Sequence, residues 1–177
     1  EHSSLHPTLG GSLASREFDL RNRVLAVDRQ GNLYLQATLT LVMGSKRQTV
    51  AAYLAKLDVT GKLMWERYHT SDEFRWDSFD IGLDGAGNAF LTGRLISMKN
   101  PSQIDAFVLG FDAAGRVRLE KTFGTPEFDG AGSIAIDSQG NYYVAGGTEG
   151  ALDGQANNVK QWAVPYLKQG GTAVQVK

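Results

Sequence analysis

The chain has no cysteine among its 177 residues, which excludes disulfides, thiolate nucleophiles and thiolate metal ligands together. Histidine is almost as scarce: His2 and His6 stand near the start and His69 is alone, so nucleophile chemistry of the Ser-His type has no convincing base. No Lys/Arg cluster is denser than GSKRQ at Gly44 to Gln48, and the net charge is −1. The basic footprint that phosphate backbones attract is therefore missing, and no nucleic-acid partner is expected. The longest apolar stretch, LYLQATLTLVMG from Leu33, is broken by Gln36 and two threonines and falls short of the ~20 residues that span a bilayer. Membrane insertion is not expected. No segment carries the 3.6-residue apolar period of an amphipathic helix.

What is present is a repeat. Asp28, Asp84 and Asp137 open VDRQGNLYL, LDGAGNAFL and IDSQGNYYV, and lie 56 and 53 residues apart. A second anchor keeps the same beat: YLAKLDVTGK from Tyr53, FVLGFDAAGR from Phe107 and WAVPYLKQGG from Trp162 align without gaps. Two anchors in step point to three copies of one supersecondary unit, with bounds near 18–70, 71–124 and 125–177 and an N-terminal tail over 1–17. Each unit reads as four short strands, in the third SIAID, NYYVAGGT, KQWAVPYLK and TAVQVK. The 21 glycines fit frequent turns in a folded chain. A chain of this size is expected to form one domain.

The spacing Asp, two residues, Gly suits a hairpin in which a type I turn is followed by a residue at positive φ, because glycine enters that region without a Cβ penalty. Gly31, Gly87 and Gly140 fill the place. The aspartate carboxylate is expected to accept hydrogen bonds from the N–H groups two and three residues on, and Asn32, Asn88 and Asn141 to tie the opening of the next strand. In that strand Tyr34, Phe90 and Tyr143 are followed directly by Leu35, Leu91 and Val144, so neighbours pointing to opposite faces are both apolar. A sheet greasy on both sides must be stacked between like sheets. The expectation is an all-β chain of three four-stranded antiparallel β-propeller blades, forming a partial ring or half of an oligomeric propeller. Leu167 replaces the aspartate of Asp58 and Asp112 in the third unit, and Pro165 within that strand predicts an edge or a bulge.

DAFVLGFDAAGR at Asp105 to Arg116, followed by FGTPEFDGAGSIAIDSQGNYYVAGGTEGALDG, resembles the SBBP-type β-propeller repeats of surface and secreted bacterial proteins, over nearly the whole chain from Phe18. NHL repeats share the A-x-D-x-x-G-N-x-Y-V core at a shorter spacing. AKLDVTGKLMW, Ala55 to Trp65, is similar to the docking motif of pyrroloquinoline-quinone dehydrogenases, in which the tryptophan packs against the neighbouring blade; Leu119 and Val174 replace it in the other units. The SBBP resemblance implies an extracellular or periplasmic location.

Because a reaction needs one asymmetric constellation, aspartates that recur in one turn context read as structural and no catalytic residue is assigned. No cofactor is expected. Calcium is weighed on the carboxylates and amides of EFDG and ALDGQANN, but no run supplies the alternating oxygens of an EF-hand loop. The feature that breaks the repeat is Trp76, flanked by Arg75 and Asp77. An aromatic in that company suits sugar stacking or a protein contact, with a local core role as the preferred reading. Three blades leave two β edges and two blade faces open, so a protein partner or a second copy is expected to cover them. The preferred reading is a non-catalytic binding or scaffold module, such as one subunit of a larger assembly. A lectin-like propeller that binds a glycan is the alternative, and a fragment of a propeller enzyme such as a quinoprotein comes third. A chain beginning at Glu1 is expected to be processed or a piece of a longer one.

Overall fold

The computed structural model describes residues 17–151, 164–168 and 174–176. Within them the chain is all-β and every strand pairing is antiparallel. The first sheet holds β1 (Glu17–Val27), β2 (Leu33–Met43), β3 (Lys46–Leu57) and β4 (Leu63–His69) side by side in chain order. The second repeats this with β5 (Phe74–Leu83), β6 (Ala89–Ser97), β7 (Ile104–Phe111) and β8 (Val117–Phe123). In the third, β9 (Asp129–Ile136) and β10 (Tyr142–Thr148) are followed by β11 (Val164–Lys168) and β12 (Val174–Val176). His2, His6 and the expected tail lie outside the described residues except for Glu17, as do Trp162 and most of the ALDGQANN loop.

Five hairpin turns are built alike. In each, an aspartate C=O accepts from the glycine three residues on and the aspartate N–H donates to the residue after that glycine, as at Asp28, Gly31 and Asn32, both bonds being 3.0 Å. The glycines Gly31, Gly61, Gly87, Gly115 and Gly140 stand at φ between 77° and 82°, a left-handed conformation that a Cβ disfavours. The carboxylates accept from N–H groups two and four residues on, not two and three: Gln30 and Asn32 bond Asp28 Oδ1 at 3.0 and 2.9 Å. Geometry explains the correction, because the third residue's N–H is already spent on the aspartate carbonyl.

The three strands that open the sheets each carry one extra residue against their partner. Register slips between Arg21 and Val24 in β1, between Ser78 and Asp80 in β5, and at Gly132 in β9. Counted back from Asp28, Asp84 and Asp137, these bulges occupy one repeat position, five residues before the turn. A bulge brings its strand close to the facing backbone. Opposite the second and third stand Gly93 and Gly146, where a β-carbon would come within 2.9 Å of Ser78 Cα and 2.8 Å of Ala131 Cα. Ala37 holds that place in the first sheet, and there Asn22 adopts φ 51°, a region asparagine tolerates.

The sheets stack face on face. One apolar cluster joins Val24, Ala26, Tyr34, Leu54 and Trp65 of the first sheet to Trp76, Ile81, Leu91, Phe107 and Leu109 of the second. Another joins Phe90, Val108 and Leu119 of the second to Ile134, Tyr142 and Val144 of the third. The second sheet is thus covered on both sides, which is why Ala106 to Phe111 are buried without alternation. Each large side chain taken out of water in these two layers contributes roughly 1.5–3 kcal/mol. Among the described residues no sheet closes on itself. Pro165 lies in β11, a strand flanked by β10 and β12 rather than an edge. The β10 pairing ends at Tyr166, so Pro165 is open on that side and is paired only with Gln175 of β12, a local edge position of the kind proline occupies.

Candidate functional site

The turns at Asp28, Asp84 and Asp137 meet at one end of the stack. Between them lies a cavity of about 580 Å³ with equivalent walls: Val27, Leu83 and Ile136 from the ends of the opening strands, then the turn residues themselves. The carboxylates at this end are committed to their own turns. Asp84 accepts from Ala86, Asn88 N and Asn88 Nδ2 at 2.9, 2.9 and 2.6 Å. Asp137 accepts from Gln139, Asn141 N, Asn141 Nδ2 and the Tyr143 hydroxyl at 2.9, 2.8, 2.7 and 2.9 Å. Asp28 adds the buried Lys56 ammonium at 3.4 Å. Burial works to raise the Asp28 carboxyl, but Asn32 and Lys56 together hold it below the usual carboxylate range. The Asp137 carboxyl is lowered, first by the Asn141 side chain. These carboxylates are engaged by their own turns, Asp84 by three donors and Asp137 by four; Arg29, Ser138 and Gln139 are the other polar side chains at the rim.

Of the two readings weighed for Trp76, a ligand platform and a local core role, its burial fits the core role. It is 1% exposed, and His69 and Phe107 meet its ring at 4.5 and 4.8 Å in edge contacts. The reason is the register: Trp76 pairs with Leu95 on the face turned toward the first sheet, so no sugar ring can stack on it. Its indole N–H and the Arg75 Nε are both buried without a hydrogen-bond partner. Asp77 is buried too, but well supplied. Arg94 donates to Oδ2 from Nε and Nη2 at 3.0 and 2.8 Å, and Asn22 and Thr38 donate to Oδ1 at 3.0 and 3.2 Å. Gln36 Nε2 continues this polar seam to the Ser78 hydroxyl at 2.6 Å, and Ser78 donates to Ala37 O at 3.0 Å. Trp76 and Asp77 thus join the first two sheets.

The last strand of the first sheet secures the same junction. Trp65 Nε1 donates to Ala113 O at 3.3 Å, Arg67 donates to Gly115 O and Ala114 O at 2.8 and 3.1 Å, and His69 faces Glu120 at 3.2 Å. A β-carbon on Gly115 would sit 3.0 Å from the Trp65 ring, so the left-handed turn is also the seat for the indole. Burial lowers the His69 imidazole below its ordinary value despite Glu120. At the second junction Asp80 Oδ2 accepts from Ser133 Oγ and Ile134 N, both at 2.9 Å.

A second hollow, of about 670 Å³, lies beside Asn100, Gln103, Asp105 and the segment Thr122 to Pro126. Gly124 brings two carboxylates together there: a β-carbon on it would overlap Asp105 Oδ1 and lie 3.1 Å from Asp129 Oδ2. Burial, then the neighbouring Asp129, raises the Asp105 carboxyl, against the Gln103 bond. Among the described residues no three His, Asp or Glu side chains gather to hold a metal ion.

The outer faces of the stack differ from its inner ones. Leu25, Ile81 and Ile134 occupy one repeat position, yet Ile81 and Ile134 are 7% and 6% exposed while Leu25 is 65% exposed. Val27 beside it is 60% exposed. On the opposite flank, Ser133 and Ala135 are exposed, whereas their equivalents Asp80 and Gly82 are covered by the third sheet. These positions escaped the sequence reading, although the apolar residue three places before each turn aspartate was a signal that could have found the first. No protein-family model matches the chain, and no curated protein matches it; the resemblance to SBBP-type repeats rests on the residues quoted for it.

Proposed function

We propose that this chain is a non-catalytic binding or scaffold module made of β-propeller blades, which acts by contacting protein through its uncovered sheet faces. What carries the reading is the contrast at one repeat position: Leu25 is 65% exposed where Ile81 and Ile134 are 7% and 6% exposed. An apolar face that the repeat is made to bury elsewhere is a docking surface when it is open. The aspartates that recur are held by their own turns, which favours structural work over catalysis. An extracellular or periplasmic setting follows from the family resemblance.

The test pairs sedimentation across a dilution series with titration of an apolar fluorescent dye. The reading expects either association or dye uptake by the folded chain, and expects Leu25→Asp with Val27→Asp to abolish whichever is seen while the β signature in circular dichroism persists. A protein that neither associates nor takes up dye overturns it.

A further inference from the structure

We infer that the occupant of the open face on the first sheet is the third sheet of a second copy of this chain, docked head to tail. The inference rests on the reading above and names its partner. Two junctions within the chain obey one rule. The face of the first sheet that carries Val24, Ala26 and Tyr34 covers the face of the second that carries Ile81, Leu83 and Leu91. One repeat later, the opposite face of the second sheet, with Phe90, covers Ile134, Ile136 and Val144. Each sheet therefore has a covering face and a receiving face, and the positions are fixed relative to the turn aspartate.

Applied to the ends of the stack, the rule pairs what is open. The receiving face of the first sheet presents Leu25 and Val27, exposed, with Leu35 only partly buried where Leu91 and Val144 are 0% and 2% exposed. Its own apolar cluster, which includes Leu39, Tyr53 and Ala55, contains residues of the first sheet alone. The covering face of the third sheet presents Ser133 and Ala135, exposed, with Tyr143 and Ala145 partly so. The surface shown twice on this chain to fit a receiving face is a covering face, and among the described residues the one left over belongs to the third sheet. A single chain's stack runs from the one to the other, so the docked surfaces come from different copies. When each copy covers the other, two identical heterologous junctions related by a twofold axis close a ring of six sheets and leave no face open.

The contact is specified to a residue pair. At the internal junction a β-carbon on Gly82 would stand 2.9 Å from Ile136 Cγ1. Ala135 is the repeat equivalent of Gly82 and Val27 that of Ile136, so Ala135 of one copy meets Val27 of the other, within the β-carbon separation a disulfide accepts.

The chain's lack of cysteine makes the test clean. The double variant Val27→Cys with Ala135→Cys, oxidised under dilute conditions, is expected to run as a covalent species of twice the chain mass that reverts on reduction, while each single variant stays at the chain mass. Linkage in Val27→Cys alone would mean that two receiving faces meet, and would overturn the head-to-tail arrangement. Association of the unmodified chain without any 27–135 link would likewise overturn it and leave the general docking reading standing; a chain that neither associates nor takes up dye fails at the earlier test. Should the double variant fail to fold, mixing decides: Leu25→Asp and Ala135→Arg, each made separately, lose dimer, and a mixture of the two regains it through the one junction with both faces intact. A mixture that stays monomeric overturns the proposal.

Discussion

Gly93 lies so close to the bulge of β5 that a β-carbon on it would overlap the Asp77 carbonyl oxygen and come within 2.9 Å of Ser78 Cα. The clash is with backbone and no rotamer change relieves it. Gly93→Ala is therefore expected to destabilise the fold by roughly 1–3 kcal/mol, the range of overpacking in a filled interior. Gly146→Ala, which meets Gly130 and Ala131 in the same way, should behave alike, while Ala37→Gly at the equivalent place costs about 1 kcal/mol or less. Urea denaturation with unchanged m-values checks all three; a neutral Gly93→Ala would refute the bulge assignment.

Trp76 sets a second expectation. Trp76→Ala empties a site wholly inside the junction and should cost about 3–5 kcal/mol. Trp76→Phe keeps an aromatic ring against His69 and Phe107 and removes an indole N–H that has no partner, whose burial is itself a cost. Its loss should be less than half that of the alanine variant. Acrylamide quenching checks the burial: of the three tryptophans, Trp76→Phe should remove a shielded component and leave the contribution of the partly exposed Trp65.

The pH dependence of stability follows from His69. Its imidazole is lowered from 6.5 by burial, with Glu120 working the other way. Below pH 6.5 the unfolded chain takes up a proton that the folded chain resists, so this group's contribution is complete above 6.5 and stability falls as the pH drops through it. The melting temperature measured from pH 8 to 5 should show that decline, His69→Gln should flatten it, and Glu120→Gln should steepen it. The capped carboxylates act lower. Asp112, held down to about 2 chiefly by the Arg116 backbone N–H, contributes above pH 3.8 and loses its contribution as pH falls toward 2.

Asp105 has the opposite sign. Its carboxyl is raised above 3.8 by burial and by Asp129, so ionising it above that pH disfavours the folded state. Asp105→Asn should raise the melting temperature at pH 7, and the gain should shrink as the pH falls toward 3.8 and be lost below it. A loss of stability at pH 7 would show that the Gln103 bond outweighs the repulsion.

How far the sequence could be read depended on how local each feature was. The turn at Asp28, Gly31 and Asn32 was legible because the whole device spans five residues and one of them must tolerate φ near +80°. Stacking of the sheets showed in doublets such as Tyr34 with Leu35, where both pleat directions are apolar. The bulges were not legible: Arg23, Phe79 and Gly132 share a position and no chemistry, and what marks it in the second and third sheets is the glycine across the ladder. Nor was the Asn22, Asp77 and Arg94 cluster, whose members lie 55 and 17 residues apart: Asp77 meets Arg94 across one ladder, and Asn22 joins them only once two sheets are assembled. Trp76 misled for a related reason. Its charged neighbours suggest a surface, but pleating sends alternate residues to opposite sides and puts the indole inside.

Three layers built on one stacking rule raise a problem of identity while the chain folds. Backbone register and apolar pattern do not distinguish a correct neighbour from the layer two places away. The polar seams do, because they differ: the first junction sets Asn22 and Thr38 against the Asp77 carboxylate, and the second sets Asp80 opposite the Ser133 hydroxyl. A mis-ordered stack would leave the buried Asp77 with Arg94 of its own sheet but without Asn22 and Thr38, the two donors to Oδ1, a cost that disfavours it. These few ionic and hydroxyl contacts therefore act as labels that set the order of assembly.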